Sequence, residues 1–125
     1  MTTMQETGVG EHGLLDLYGI SPCLASNETQ IRQHLLHAAH LAHATVLQAQ
    51  FHHFGENQGV TGVLLLSESH ISIHTWPERQ FAAIDIFMCG SHHIQAAVDY
   101  LAKAFTPEHF TFNLYTRGSI PPAPF

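Results

Sequence analysis

The sequence predicts an α+β domain, a two-layer sandwich in which helices gather on one face of a mostly antiparallel sheet. Three observations carry this expectation. Several stretches, His70-Ile71-Ser72-Ile73-His74 among them, alternate apolar and polar residues with the period of two that marks a half-buried strand. Two longer stretches, about 28–43 and 91–105, instead carry an apolar stripe at helical spacing. Along the chain the order is strand, helix, three or four strands, helix, strand, and no linker is long enough to divide it. At 125 residues and 45% hydrophobic content, one domain with one core is expected.

Composition removes several function classes. A formal charge of -6 with only four Lys+Arg leaves no cluster of cations for a nucleic-acid backbone. The two cysteines, Cys23 and Cys89, lack the spacing of a secreted disulfide framework, so reduced thiols are expected. The first residues, MTTMQETGVGEHG, have neither the basic start nor the apolar centre of a signal peptide, and no run reaches membrane-spanning length. A soluble cytoplasmic protein is the expectation.

Residues 1–10 read as a loose terminus, and His12 to Tyr18 as a first strand ending at Gly19. A loop bracketed by Ser21-Pro22 and Ser26-Asn27 then leads to a helix ending near His43. Asn27 is its N-cap, Gln30 stands at capping-box spacing and Glu28 suits the positive end of the dipole. Ile31, Leu35, Ala38, Ala39 and Ala42 share its apolar face, opposite His37, His40 and His43, with His34 at the flank. Thr45 to Phe54 reads as a strand with Leu47, Ala49 and Phe51 alternating with Gln48, Gln50 and His52, and residues 55–59 as a turn. Val63 to Leu66 is a continuous apolar run. After the connection Ser67-Glu68-Ser69, one strand shows His70, Ser72 and His74 on one side and Ile71 and Ile73 on the other, and Pro77 ends it. The next, Phe81 to Met88, separates Ala82, Ile84, Ile86 and Met88 from Phe81, Ala83, Asp85 and Phe87, and Cys89-Gly90 closes it. Ser91 is placed to cap a helix through about Phe105, with Ile94, Ala97, Val98 and Leu101 as its stripe. Pro107 separates this from a last strand, Phe110 to Tyr115, and the chain ends irregularly.

The chemistry concentrates between Leu64 and Gly90, which brings together hydroxyls, two histidines, a carboxylate, an aromatic-proline turn and a thiol. Antiparallel pairing is expected to bring Ser69, His74 and Cys89 near one another. The helical histidines, spaced by three, step about 60° around the axis and fan out, which favours solvated surface over a metal site. The adjacent pairs His52-His53 and His92-His93 diverge in the same way. In an arbitrary protein Ser-Glu-Ser is only a turn. A serine after a glutamate at a tight connection can nevertheless attack the preceding carbonyl, if the backbone is strained and a base is near.

At SESHISIHTWPE followed by AAIDIFMCG, and upstream through Gly59-Val60-Thr61-Gly62, the chain resembles the small prokaryotic S-adenosylmethionine decarboxylases. These are pyruvoyl-dependent enzymes of spermidine synthesis. The resemblance implies self-cleavage between Glu68 and Ser69 into 1–68 (β chain) and 69–125 (α chain), with a covalent pyruvoyl group formed from Ser69. His74 matches the histidine that removes a proton during processing, and Thr61 stands where relatives commonly have the serine that assists it. In the mature enzyme the pyruvoyl ketone would form a Schiff base with the substrate amine and act as electron sink for decarboxylation. Cys89 matches the proton donor, a role suited to thiols because as a class they are mostly protonated at neutral pH. Glu78 matches the carboxylate that binds the ribose hydroxyls, and Phe54 the aromatic that stacks on adenine, with cation-π attraction to the sulfonium. The Phe54 match crosses GENQ, one residue longer than in typical relatives.

His70 either lines the site or hydrogen-bonds the backbone, Trp76 packs in the turn and Cys23 is structural. The family also implies an αββα homodimer of processed protomers with sites near the interface, and no required metal. Two further readings differ in class. One keeps the fold and the pyruvoyl group but takes arginine or ornithine; the other is a non-catalytic, histidine-rich metal-binding module or regulatory paralogue.

Overall fold

The computed structural model describes residues 8–89 and 93–119. Within them lie β1 (Gly10–Tyr18), a single-turn helix α1 (Pro22–Ala25), α2 (Glu28–Leu41), β2 (Val46–His53), β3 (Val60–Leu66) and β4 (Ser69–Trp76). A 3-10 turn (Pro77–Arg79), β5 (Phe81–Cys89), α3 (Ile94–Ala104) and β6 (His109–Arg117) complete them. The strands form one sheet in the order β2-β3-β4-β5-β1-β6, with every pairing antiparallel. The helices cover one face, as alternation predicted.

Burial follows the sequence pattern in the central strands. Leu64 and Leu66 of β3, Ile71 and Ile73 of β4, and Ala82, Ile84, Ile86 and Met88 of β5 point into the core. Against them pack Ile31, Leu35, Ala38, Ala39 and Ala42 from the α2 segment, and Ile94, Ala97, Val98, Leu101 and Phe105 from the α3 segment. Each large apolar side chain so buried contributes about 1.5–3 kcal/mol, which makes this layer the main source of stability. The α2 cap forms as expected, Asn27 Oδ1 accepting from the Gln30 amide at 3.0 Å.

Where the structure departs from the reading, side chains or backbone geometry explain it. The expected loop contains α1, because Ser21 Oγ accepts from the Cys23 and Leu24 amides at 3.1 and 3.4 Å and Pro22 presets the first helical position. Helix α2 stops at Leu41, and His43 takes a left-handed φ of 61° that cannot continue a helix. A bulge between Val46 and Gln48 leaves Leu47 out of the β2 ladder and exposed, so the expected alternation begins only at Gln48. Strand β1 begins at Gly10, before the expected start at His12, and β6 extends at both ends of the expected strand. Ser91 and His92 lie outside the described residues. Among those described, no helix is long and apolar enough to cross a membrane.

One buried polar residue ties the layers together. Thr75 Oγ1 donates to the Ala25 carbonyl at 2.6 Å and accepts from the Val60 amide at 2.8 Å, joining β4 to α1 and to the start of β3. Gly59 lies so close to the Thr75 carbonyl that a Cβ would collide with it. Thr75→Val, of nearly equal shape, should therefore lower stability by about 1–3 kcal/mol by stranding two backbone groups, which urea denaturation would measure.

Candidate active site

The predicted site residues fall into two groups at opposite ends of β4. At the first end, Ser67 and Glu68 form the two-residue connection between β3 and β4, pairing Leu66 with Ser69. Ser69 opens β4 at φ 147°, a conformation that side-chain-bearing residues rarely adopt and that costs on the order of 1–3 kcal/mol. The Glu68 carbonyl accepts from the Cys89 amide at 3.0 Å, because Ser69 pairs with Met88 and leaves Cys89 beside the turn. The hydroxyl, the strained peptide and the thiol-bearing residue are thus neighbours.

His74 is not with them. It lies five residues along extended β4 from Ser69, roughly 16 Å at strand rise. The expectation that Ser69, His74 and Cys89 meet therefore fails for His74 within one protomer. Antiparallel register brings Cys89 to the Ser69 end but sets Ala83, not Cys89, opposite His74.

At the second end, Thr61 and His74 are direct cross-strand partners, and Thr61 Oγ1 and His74 Nδ1 share a hydrogen bond of 3.0 Å. They line a cleft of about 310 Å³ together with Phe54, Trp76 and Glu78. Phe54 is placed by the turn after β2, which its amide closes by donating to the Gly59 carbonyl at 3.0 Å; its ring meets His52 edge to face at 4.6 Å. Glu78 projects from the 3-10 turn that Pro77 begins. Trp76, expected to serve only the turn, both contacts Phe81 at 5.5 Å and walls the cleft. Strand β4 ends just before Pro77 as expected, and its period-two alternation puts Trp76 on the His70-Ser72-His74 face.

Next to the Ser69 end the uncovered sheet face carries His70, whose ring lies against Phe87 and His12. Arg117 Nη1 donates to His12 Nδ1 at 3.4 Å, which leaves His12 Nε2 3.8 Å from Asp85 Oδ2. Burial holds the His70 imidazole below its ordinary range, nearby His12 lowers it further and Asp85 opposes both. On the helical side, burial and then His37 likewise lower His34, which shares a 2.8 Å hydrogen bond with the Tyr100 hydroxyl. Among the described residues no group of three or more His, Cys, Asp and Glu is arranged to hold a metal ion.

A larger cavity of about 560 Å³, lined by Cys23, Ser26, His53 and Glu56 among others, contains a serine-histidine pair. Ser26 Oγ lies 2.9 Å from His53 Nε2 but donates its proton to the Gln58 carbonyl at 2.7 Å. That hydroxyl closes a loop and is not poised as a nucleophile.

Comparison with known proteins decides the family. The model of the S-adenosylmethionine decarboxylase family matches residues 11–118. The chain belongs to this family. It is 40% identical over 113 residues to an S-adenosylmethionine decarboxylase proenzyme of Hydrogenobaculum sp. (strain Y04AAS1), covering 90% of this chain and 84% of that protein. It is also 35% identical over 120 residues to an arginine decarboxylase proenzyme of Pyrobaculum arsenaticum, covering 94% and 90% of the two chains. A solved family structure, the adenosylmethionine decarboxylase from Aquifex aeolicus VF5, superposes with a TM-score of 0.84 at 34% identity. That match covers 95% of this chain and 98% of the other, so the family fold extends through both ends of β4.

The lowered histidines set a sign for pH. Below the ordinary value of 6.5 the unfolded chain takes up protons on His34 and His70 that the folded chain resists, so stability falls with pH until their folded values are passed. Melting temperatures taken between about pH 7.5 and about pH 5.5 should decline less steeply in a His34→Gln/His70→Gln variant than in the wild type.

Proposed function

We propose that the chain is the proenzyme of a pyruvoyl-dependent decarboxylase that converts S-adenosylmethionine to its decarboxylated form, the aminopropyl donor for spermidine synthesis. The observation that carries this reading is the Glu68–Ser69 peptide, with Ser69 at φ 147° and the Glu68 carbonyl hydrogen-bonded to the Cys89 amide. The bond polarises the carbonyl that Ser69 Oγ would attack, and the strain is relieved as the amide becomes an ester. In that step the C–O bond forms, the C–N bond breaks and the Ser69 nitrogen takes the proton. Removal of the Ser69 α-proton then expels the Glu68 carboxylate and leaves dehydroalanine. Water converts this to a pyruvoyl group and ammonia, giving chains 1–68 and 69–125. These residues suit the group they would generate.

When formed, the pyruvoyl group supplies the electron sink for loss of carbon dioxide. The other roles belong to side chains. Cys89, beside the cleavage point, would return a proton to the substrate carbon, and His70 borders the same end. In the cleft, Phe54 and Trp76 offer aromatic faces and Glu78 a carboxylate. This combination suits an adenine, a sulfonium and a ribose diol. The relative named for arginine resembles this chain over most of its length, so overall identity does not choose the substrate. A short diamino acid would leave the aromatic walls and Glu78 without partners.

In this reading a second copy closes the gap of roughly 16 Å along β4 between Ser69 and His74. Two protomers packed with their open sheet faces together, as an αββα homodimer about a two-fold axis, would set the Ser69 end of one against the His74 end of the other. Val63, Leu65 and Trp76, each more than a third exposed, belong to that open face. Thr61 would hold the partner-facing His74 in position for the processing step.

Denaturing mass measurement after borohydride reduction with S-adenosylmethionine should find an adduct on chain 69–125 alone; an adduct with arginine instead would transfer the assignment to that substrate. Ser69→Ala and His74→Asn should each remain full-length and inactive. Coexpressed, they should regain about a quarter of wild-type activity if copies mix at random. Only the His74→Asn chain should then be cut. Absence of both recovery and cleavage would exclude the shared site.

A further inference from the structure

A two-residue hairpin connection ordinarily needs left-handed backbone at one or both of its central residues, which is why Asn and Gly prevail there. The β3–β4 connection does without it. Among the described residues, the non-glycine ones with positive φ are His43, Asn57, Ser69, Gln80 and Thr106, so neither Ser67 nor Glu68 is among them. The unusual conformation falls instead on Ser69, and the turn is held from outside. On one side Thr45, in the loop between α2 and β2, grips it twice: its amide donates to Glu68 Oε1 at 3.0 Å and its carbonyl accepts from the Ser67 amide at 3.0 Å. On the other side the Cys89 amide holds the Glu68 carbonyl. Glu68 is thus tied by its side chain to one loop and by its main chain to β5, and the strained residue follows it directly.

We propose that the carboxylate of Glu68 is a positioning residue for self-cleavage. By accepting the Thr45 amide it keeps the Glu68–Ser69 peptide from rotating to relieve φ at Ser69, and so keeps the carbonyl carbon within reach of Ser69 Oγ. The inference rests on the self-cleavage reading above and adds a role for the side chain of the residue before the proposed cut. The same bond would retain the new chain end after cleavage, because it involves neither atom of the broken C–N bond.

The test is the rate at which freshly translated chain converts to two fragments, followed by denaturing mass measurement. Glu68→Ala should slow conversion by about tenfold or more, the rate equivalent of one charge-assisted hydrogen bond. Glu68→Gln, whose Oε1 can still accept from Thr45, should stay within about threefold of wild type. Rescue by glutamine separates positioning from a requirement for charge. Glu68→Ala converting as fast as wild type, or Glu68→Gln as slowly as Glu68→Ala, would overturn the proposal. Should Glu68→Ala fail to fold, as judged by melting on a Ser69→Ala background, Glu68→Asp takes its place: it withdraws the acceptor by one methylene and should also slow conversion, and a wild-type rate would count against the role. Failure of the wild-type chain to cleave at all would instead remove the self-cleavage reading itself.

Discussion

The register of β4 is the constraint on which the rest depends. Along this strand alternate residues face the helices or the open side, so a slip of one residue would exchange the two sets completely. Ile71 and Ile73 would lose the core, and His70, Ser72 and His74 would enter it without partners. Thr75 adds a second lock at the far end by joining α1 and β3 through one buried hydroxyl. Held in this way, β4 has no freedom to slide and relieve the conformation imposed on Ser69 at its first residue. Stability supplied by one face of the strand is what lets the other end store strain.

Stability and the candidate site are accordingly assigned to different residues. The core is mainly aliphatic, with Phe105 its one fully buried aromatic among the described residues, and none of the candidate site residues belongs to it. The site residues sit at turns and strand ends, half-buried or exposed, where substitutions affect packing least. This arrangement explains why the two groups can lie at opposite ends of one strand without weakening the fold. It also makes the uncovered sheet face more than leftover surface: its exposed apolar residues surround the route between the two ends, and an apolar area of that kind commonly marks an association surface.

Several features were legible in the residue pattern because they depend on neighbours in the chain. Alternation assigned the faces of β4 and β5, helical spacing chose the buried side of α2, and Asn27 with Gln30 marked its start. The motif around Ser69 pointed to the family, and Thr61, His74, Glu78 and Phe54 do gather at one cleft. The parity of Trp76 was visible too, but the cleft it walls is made with residues of the turn after β2 and of β3, which only the tertiary structure brings beside it. The Ser21 cap that makes α1 was equally visible in Ser-Pro, but a single turn is too short to leave a periodic signal.

What the sequence determined by itself was parity: which side of a strand or helix each residue occupies, and hence which residues are core and which are available for chemistry. Only the tertiary structure decided position along the sheet. Pairing register set Cys89 beside Glu68, put His74 opposite Ala83 and gave Ser69 its left-handed backbone, none of which follows from local periodicity. The physical reason is that parity is a property of consecutive peptide units, whereas register and strain arise from hydrogen bonds between strands and loops far apart in the chain.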